Sequence, residues 1–296
     1  MNIPNDIYAC KEPQFTRNRW EVLMDIEMIR SAQNPLVKRV RSVKSRKGRA
    51  RERACWVEGL APVLEAIESG WDVQTVVYSP ELLRSEAAPE LLARADVDAR
   101  PVTAEIFERL SERDGPAGLG AIVSTRDVSL GGVVINARSM IAVLVEPQDP
   151  GNLGTIIRTA YCAGASAIVL VGNATDPFDP RALRASMGSV FRIPVATERR
   201  LEGFVSWALE GELPLIGTSA RGSVNYRELD YALPAGIVMG NEQKGLPQEL
   251  VDVCSALVSI PMRGTIRSLN LSVAASIVLY EAASRSGTNI EAPSGS

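Results

Sequence analysis

Met140-Ile-Ala-Val-Leu-Val145-Glu-Pro-Gln-Asp-Pro-Gly-Asn152-Leu-Gly154-Thr-Ile-Ile-Arg158 decides the fold class of this 296-residue chain. Six apolar residues run without a polar interruption, a turn-rich stretch with two prolines follows, and a helical pattern begins. An uninterrupted apolar run is what a strand buried on both faces requires, and parallel strands joined by helices are buried in that way. The same alternation continues to the end of the chain. Ala167–Val171, Leu213–Gly217, Gly236–Met239 and Ala256–Ile260 read as strands, with helices near 153–163, 180–187, 201–210, 247–253 and 269–284. The pattern predicts an α/β fold with a parallel sheet covered on both faces, and such sheets bind ligands at the carboxyl ends of their strands.

Upstream, Leu36, Val40 and Val43 at helical spacing predict a short basic helix, and Leu60, Val63, Leu64 and Ile67 a second one stopping at Gly70. A strand at Val73–Tyr78, helices around Pro89–Ala95 and Ala104–Ser111 and a strand at Ala121–Ser124 complete a smaller α/β unit. The expected organisation is an extension at 1–29, this unit at 30–125, a linker at 126–138, the larger unit at 139–285 and a disordered tail at 286–296. No segment has the length and apolarity of a spanning helix, and no basic start precedes an apolar run, so a soluble cytoplasmic chain without membrane contact is expected.

Composition narrows the chemistry. The chain has no histidine, which removes Ser-His and Cys-His nucleophiles and the commonest neutral metal ligand. Cys10, Cys55, Cys162 and Cys254 are far apart and form no CxxC pair, so neither a zinc site nor a disulfide framework is expected, and no metal is. The net charge of -3 conceals an asymmetry, because residues 30–53 hold ten Lys or Arg and one acid, leaving the remainder strongly acidic. A basic block on an acidic protein is the footprint of a nucleic-acid binder, with Lys38, Arg39, Arg41, Lys44, Arg46, Lys47 and Arg49 as candidate RNA contacts. A solvated helix face explains the charge alone equally well.

Polar residues gather after three of the strands. The first segment, Glu146–Arg158, is neither a phosphate loop nor a dinucleotide fingerprint. Asn152 is expected as a helix N-cap, and Gly154 is expected to leave room beside Arg158 one turn on. Read by itself, it is a capped helix with an exposed arginine. The second, Gly236-Ile-Val-Met-Gly240-Asn-Glu-Gln-Lys-Gly245, places the carboxylate of Glu242 beside a buried strand end. The third, Ile260-Pro-Met-Arg-Gly264-Thr-Ile-Arg-Ser-Leu-Asn270, enters the last helix with Ser268 as expected N-cap, and Thr218, Ser219 and Ala220 form one more polar strand end. Leu271, Ala275, Val278, Leu279 and Ala282 give the last helix a core stripe.

Taken jointly, Asn152-x-Gly-x-x-x-Arg158, Gly240-Asn-Glu-x-x-Gly245-Leu and Ile260-Pro-Met-x-Gly264-x-x-x-Ser-Leu-Asn270 resemble, in order and spacing, the three motifs of the SpoU (TrmH-like) family of RNA ribose methyltransferases, in the SPOUT superfamily. The resemblance spans roughly 139–284, and residues 33–124 look like the ribosomal-protein-like substrate-binding domain that often precedes it. Arg267 stands where the family often has an acid. The resemblance implies a deep trefoil knot, a homodimer with active sites at the subunit interface, and methyl transfer from S-adenosyl-L-methionine to a ribose 2'-hydroxyl. It implies a cofactor cradle of Thr218, Ser219, Ala220, Met239, Gly240, Asn241, Gly245, Ile260, Met262, Ser268 and Leu269. The catalytic group carried over is Arg158, Asn152, Glu242, Ser268 and Asn270, with Glu242 expected to fix the arginine or nearby amides. Ribosomal RNA is favoured over tRNA as substrate, and self-protection against a ribosome-targeting antibiotic is a role some relatives have. The competing readings are a knotted enzyme methylating a base nitrogen, a silent RNA-binding or ribosome-assembly factor and, more remotely, a nicotinamide oxidoreductase.

Overall fold

The basic segment is helical. In the computed structural model, which describes residues 26–84, 88, 97–265 and 268–287, it forms two helices, α1 (Pro35–Lys44) and α2 (Arg46–Glu52). Asn34 caps α1 by accepting from the Leu36 amide, Pro35 sits at the first helical position, and Val37, Val40 and Val43 face inward. The buried stripe therefore takes Val37, with Leu36 only half-buried. Ser45 is extended, ends α1 and caps α2 through the Gly48 amide. A side chain at Gly48 would run into the Ser42 carbonyl, so the two helices meet too closely for any other residue.

These helices, α3 (Leu60–Glu68) and α4 (Ala104–Leu110) pack on a four-stranded sheet of β1 (Ala54–Glu58), β2 (Val73–Tyr78), β3 (Ala99–Pro101) and β4 (Leu119–Ser124), in the order β1-β4-β2-β3. Neither β1 nor β3 stood out in the sequence. The helix expected at 89–95, the first 25 residues, Arg267 and the last nine residues lie outside the described residues.

The second sheet has seven strands, ordered β7-β6-β5-β10-β8-β11-β9, and every neighbouring pair is parallel. Its strands are β5 (Met140–Val145), β6 (Ala167–Val171), β7 (Val195–Glu198), β8 (Leu215–Thr218), β9 (Val224–Asn225), β10 (Ala235–Met239) and β11 (Ala256–Ser259). Each residue of β5, β6 and β10 is buried, as apolar runs covered on both faces must be. Alternate residues serve opposite faces. Met140, Ala142 and Leu144 pack with Leu153, Ile156 and Ile157 of α5 (Pro150–Cys162) and with Ala275, Val278 and Leu279 of α9 (Leu271–Arg285). Ile141, Val143 and Val145 pack with Phe204 and Ala208 of α7 (Leu201–Glu210) and with Leu250 of α8 (Gln248–Val253).

Two departures from expectation bear on the site. Residues 126–138 are no free linker: Val128 bridges to Ala196 beside β7, and Leu130 and Val133 are buried in the second face of the sheet. The two sheets also share one apolar cluster, in which Val57, Val63 and Tyr78 join the methionine, leucine and isoleucine side chains of β5 and α5. Trp71 seals the junction, its ring edge-on to Phe178 and Phe191 and its indole N–H donating to the Phe191 carbonyl at 2.9 Å.

Candidate active site

The strand order reverses at β5, which has β6 on one side and β10 on the other, and the loops leaving β5 and β10 face each other there. Asp149, not Asn152, caps α5, its carboxylate accepting from the Asn152 amide at 2.8 Å with Pro150 at the first helical position. An Asp-Pro pair is the stronger start signal, because the carboxylate meets the positive helix end and proline needs no partner there. Asn152 falls inside the first turn, and its Oδ1 accepts from Asn270 Nδ2 at 3.0 Å. Asn270, not Ser268, caps α9, accepting from the Ser272 amide at 2.8 Å and the Ser272 hydroxyl at 2.6 Å. The hydroxyls of Thr159 and Ser276, 3.2 Å apart, join the same two helices again.

Gly154 does not clear space for Arg158. A Cβ there would collide with the Ala182 carbonyl and lie 2.7 Å from Ala185 Cβ, so the glycine admits α6 (Pro180–Ser186) against α5. Arg158 itself is exposed and has no hydrogen bond or ion pair among the described residues.

Beyond β10 the loop folds onto itself. Asn241 and Gly245 exchange backbone hydrogen bonds of 3.0 and 2.9 Å, and a Cβ on Gly240 would meet the Gly245 backbone. Gly245 takes a positive φ of 72°. The buried Asn241 carboxamide accepts from the Gln243 and Lys244 amides and donates to the Glu146 carbonyl at 2.9 Å, tying the β10 loop to the β5 loop. Glu146 is held at φ 46°, outside the usual range for a residue with a Cβ, and its carboxylate pairs with Lys244 at 3.3 Å. A cleft of about 580 Å³ opens here, lined by Glu146, Asp149, Asn152, Asn241 and Glu242. Glu242 is exposed and has no hydrogen bond or ion pair among the described residues, either to Arg158 or to nearby amides, the two contacts expected of it.

On the other side of β10, Thr218 donates its hydroxyl to the Val238 carbonyl at 3.0 Å, and the Ser219 amide donates to Val258. Thr218, Gly240 and Ile260 therefore stand at the ends of three adjacent strands. Met239 is buried, which leaves only its main chain for a ligand. Met262 and Leu269 are each 38% exposed, Ala220 and Ser268 are exposed, and Gly264 has a positive φ with open space around it. Apolar side chains left uncovered beside free backbone edges suit a flat aromatic ring with polar rims. Among the described residues no three Cys, Asp or Glu side chains are grouped to hold a metal ion.

The basic block divides. Lys38, Arg41, Arg46 and Lys47 are exposed. Arg39 is engaged with Glu52 and Gln74, and Lys44 with the Leu110 carbonyl at 2.8 Å and Glu112 at 3.0 Å. Arg49 is 4% exposed and binds Asp176 at 2.7 Å and Asp179 at 3.5 Å, so it is no surface cation for RNA. Glu146, Asp149, Asp176 and Asp179 were not picked out from the sequence, although Asp149, Asp176 and Asp179 each precede a proline and that pair marks Asp149 and Asp179 as helix caps.

Sequence and structure comparisons agree on what this arrangement is. The model of the SpoU rRNA Methylase family matches residues 139–280, and that of the MRM3-like substrate binding domain matches 34–121. A 23S rRNA (uridine(2479)-2'-O)-methyltransferase of Streptomyces viridochromogenes is 31% identical over 244 residues, 80% of this chain and 85% of that protein. The chain belongs to the SpoU family. Among solved SpoU relatives, the AdoMet-bound rRNA methyltransferase of Sinorhizobium meliloti is 39% identical with a TM-score of 0.77, covering 86% of this chain and 97% of that one. The SpoU methyltransferase AviRb of S. viridochromogenes, in complex with AdoMet, gives 29% identity and a TM-score of 0.79 over 85% and 98%.

Proposed function

We propose that this chain methylates a ribose 2'-hydroxyl of ribosomal RNA with S-adenosylmethionine, in the cytoplasm and as a knotted homodimer. The observation that carries the reading is the juxtaposition of three open strand ends, at Thr218, Gly240 and Ile260, with the adjoining Asn152–Asn270 pair and the helix that bears Arg158. Main-chain groups at Thr218–Ala220, Gly240–Asn241 and Ile260 would hold the cofactor's polar edges, and Met262 and Leu269 would cover its ring. The cofactor supplies a methyl group on a positively charged sulfur, so the protein's task is to align and activate a weakly acidic hydroxyl.

The planar guanidinium of Arg158 suits it to clamp a phosphate beside the target ribose and to stabilise developing negative charge on the hydroxyl oxygen. Asn152, whose Oδ1 is engaged by Asn270, keeps its amide N–H groups for that hydroxyl. Exposed Ser268 closes the loop over the cofactor, and Glu242 holds neighbouring amides once substrate is in place. The dimer would cover the apolar side chains that α5 and α9 leave exposed, Tyr161 at 43%, Val273 at 46% and Tyr280 at 44%. Sedimentation equilibrium tests this point, with a monomer at micromolar concentration as the contrary result.

The decisive experiment is methylation of ribosomal RNA with labelled cofactor followed by alkaline digestion. A 2'-O-methyl group leaves an alkali-resistant dinucleotide, whereas label on an alkali-released mononucleotide would mean base methylation and overturn the reading. Arg158→Ala should bind cofactor normally and turn over at least roughly a hundredfold more slowly, the usual scale for losing one charge-stabilising donor.

A further inference from the structure

We propose that Arg49 is a positioning residue: it fixes the RNA-facing helix α2 at a set place relative to the loop that carries the catalytic groups. The inference rests on the reading of the chain as an RNA methyltransferase and adds to it a residue that touches neither cofactor nor RNA. The exposed cations Arg46, Lys47 and Arg51 lie on α2. Arg49, on the same helix, points the other way and is the most deeply buried charged residue among those described, at 4% exposure. Its Nε donates to Asp176 at 2.7 Å, its Nη2 to Asp179 at 3.5 Å and its Nη1 to the Lys44 carbonyl at 2.6 Å. The last bond holds the guanidinium against its own helix pair, and the first two cross to the other sheet's loop.

That loop, 172–179, is stitched to the catalytic loop. The Thr175 amide donates to the Pro147 carbonyl at 2.9 Å, and Gln148 Nε2 donates to the Asn173 carbonyl at 3.0 Å. Asp179 caps α6, which Gly154 lets approach α5 one turn before Arg158, and Arg181 reaches back to Asp149, the cap of α5, at 3.0 Å. The Arg181–Asp149 pair is exposed and contributes little by itself. The path through buried Arg49, the Thr175–Pro147 backbone bond and the α5–α6 packing is short, and the exposed Gln148–Asn173 bond only adds to it. A planar guanidinium engaging two carboxylates and a carbonyl also fixes orientation as well as distance, which an ammonium does not.

Removing Arg49 should therefore leave each site intact and disturb their mutual placement. In steady-state methylation of ribosomal RNA by the full chain, Arg49→Met should lower kcat roughly tenfold to a hundredfold, the cost of an ångström-scale misplacement. The KM for RNA and the dissociation constant for S-adenosylmethionine should stay within about twofold to threefold of wild type, because the exposed cations of α1 and α2 and the strand ends are untouched. Asp176→Asn, which retains an acceptor and is expected to fold even where Arg49→Met does not, should show the same split to a smaller degree. The double variant should lose no more kcat than Arg49→Met alone. Unchanged kcat, a loss confined to KM, or a parallel loss of cofactor affinity overturns the proposal. So do multiplicative losses in the double variant. Failure of the wild-type chain to methylate RNA would instead refute the assigned reaction.

Discussion

Replacing Gly154 with alanine adds one methyl group at the closest approach of two helices. The new Cβ would collide with the Ala182 carbonyl oxygen and stand 2.7 Å from Ala185 Cβ. Carbon atoms in contact prefer about 3.5–4.0 Å, so α6 must retreat by roughly 1 Å. The atoms struck are backbone and a Cβ, which no rotamer change can move. Overpacking of this kind costs about 1–3 kcal/mol, and the helix gains back about 0.5–1 kcal/mol when glycine becomes alanine. The net loss lies between about 0 and 2.5 kcal/mol and centres on about 1 kcal/mol, a fall in melting temperature of about 2–4 °C for a chain of this size. Gly203→Ala in α7 is the matched control, because the three atoms nearest its Cβ would all belong to the Glu198 carboxylate, at 3.0–3.2 Å, the end of a flexible side chain held by one bond from the Arg200 amide. Thermal unfolding should show Gly154→Ala below wild type and Gly203→Ala at or above it. Methyl transfer should fall with Gly154→Ala, since Arg158 sits one turn along the displaced contact. A Gly154→Ala protein that melts at or above wild type would refute the packing argument.

With Lys38, Arg41, Arg46 and Lys47 as the RNA-facing cations, the logarithm of RNA affinity should fall against log salt with a slope near about -3, and Arg46→Gln with Lys47→Gln should make it shallower by about 1.5. Arg49→Met should leave that slope unchanged, which fluorescence anisotropy from 50 to 300 mM salt would check, on the order of the range over which such slopes are read. Asn270→Asp keeps the helix cap but loses the N–H donated to Asn152, so the melting temperature should hold while kcat falls; Asn270→Ala should lose about 1 kcal/mol of stability as well. Burial pushes the Cys254 thiol up to about 11, and burial raises that of Cys55 further. Mass spectrometry after mild alkylation at pH 8 should find both unmodified, with about one part in a thousand of Cys254 as thiolate, and rapid labelling of either would contradict the packing around β1 or β8.

The large parallel sheet was legible in the sequence because its central strands are apolar throughout and its helices are capped or punctuated by glycine and proline. Short strands were not. β7 has four residues of which only Val195 and Ala196 are buried, and β9 has two, too few to show a period. β1 has only four consecutive apolar residues, Ala54–Val57, between Arg53 and Glu58, too short a run to separate it from a helix. Caps were misplaced by two or three residues wherever several candidates stood in a row, since Asp149 competes with Asn152, and Ser268 with Asn270, on local chemistry alone. The division of the basic block could not be read at all. Nothing local distinguishes Arg49 from Arg46 or Lys47; what distinguishes it is the pair of aspartates 127 and 130 residues further along the chain.

The same contrast separates the residues that build the site from those proposed to act in it. Asp149, Asn241, Glu146 and Gly154 each complete a bond or a close contact within the chain, and each is at least half-buried or shielded by a neighbouring loop. Arg158, Glu242, Ser268, Met262 and Leu269 are exposed, and the first two have no partner among the described residues. An enzyme without histidine gains its rate from alignment and from charge held where charge develops, and both need a rigid support beneath groups whose own bonds are reserved for the ligand. Substitutions in the first set should thus lower stability and turnover together, through the distortion of a loop. Substitutions in the second should leave unfolding unchanged and reduce turnover or cofactor binding alone. The Asn152–Asn270 hydrogen bond lies on the boundary, because one of its partners is also the cap of α9, and that is why the aspartate and alanine variants of Asn270 part company.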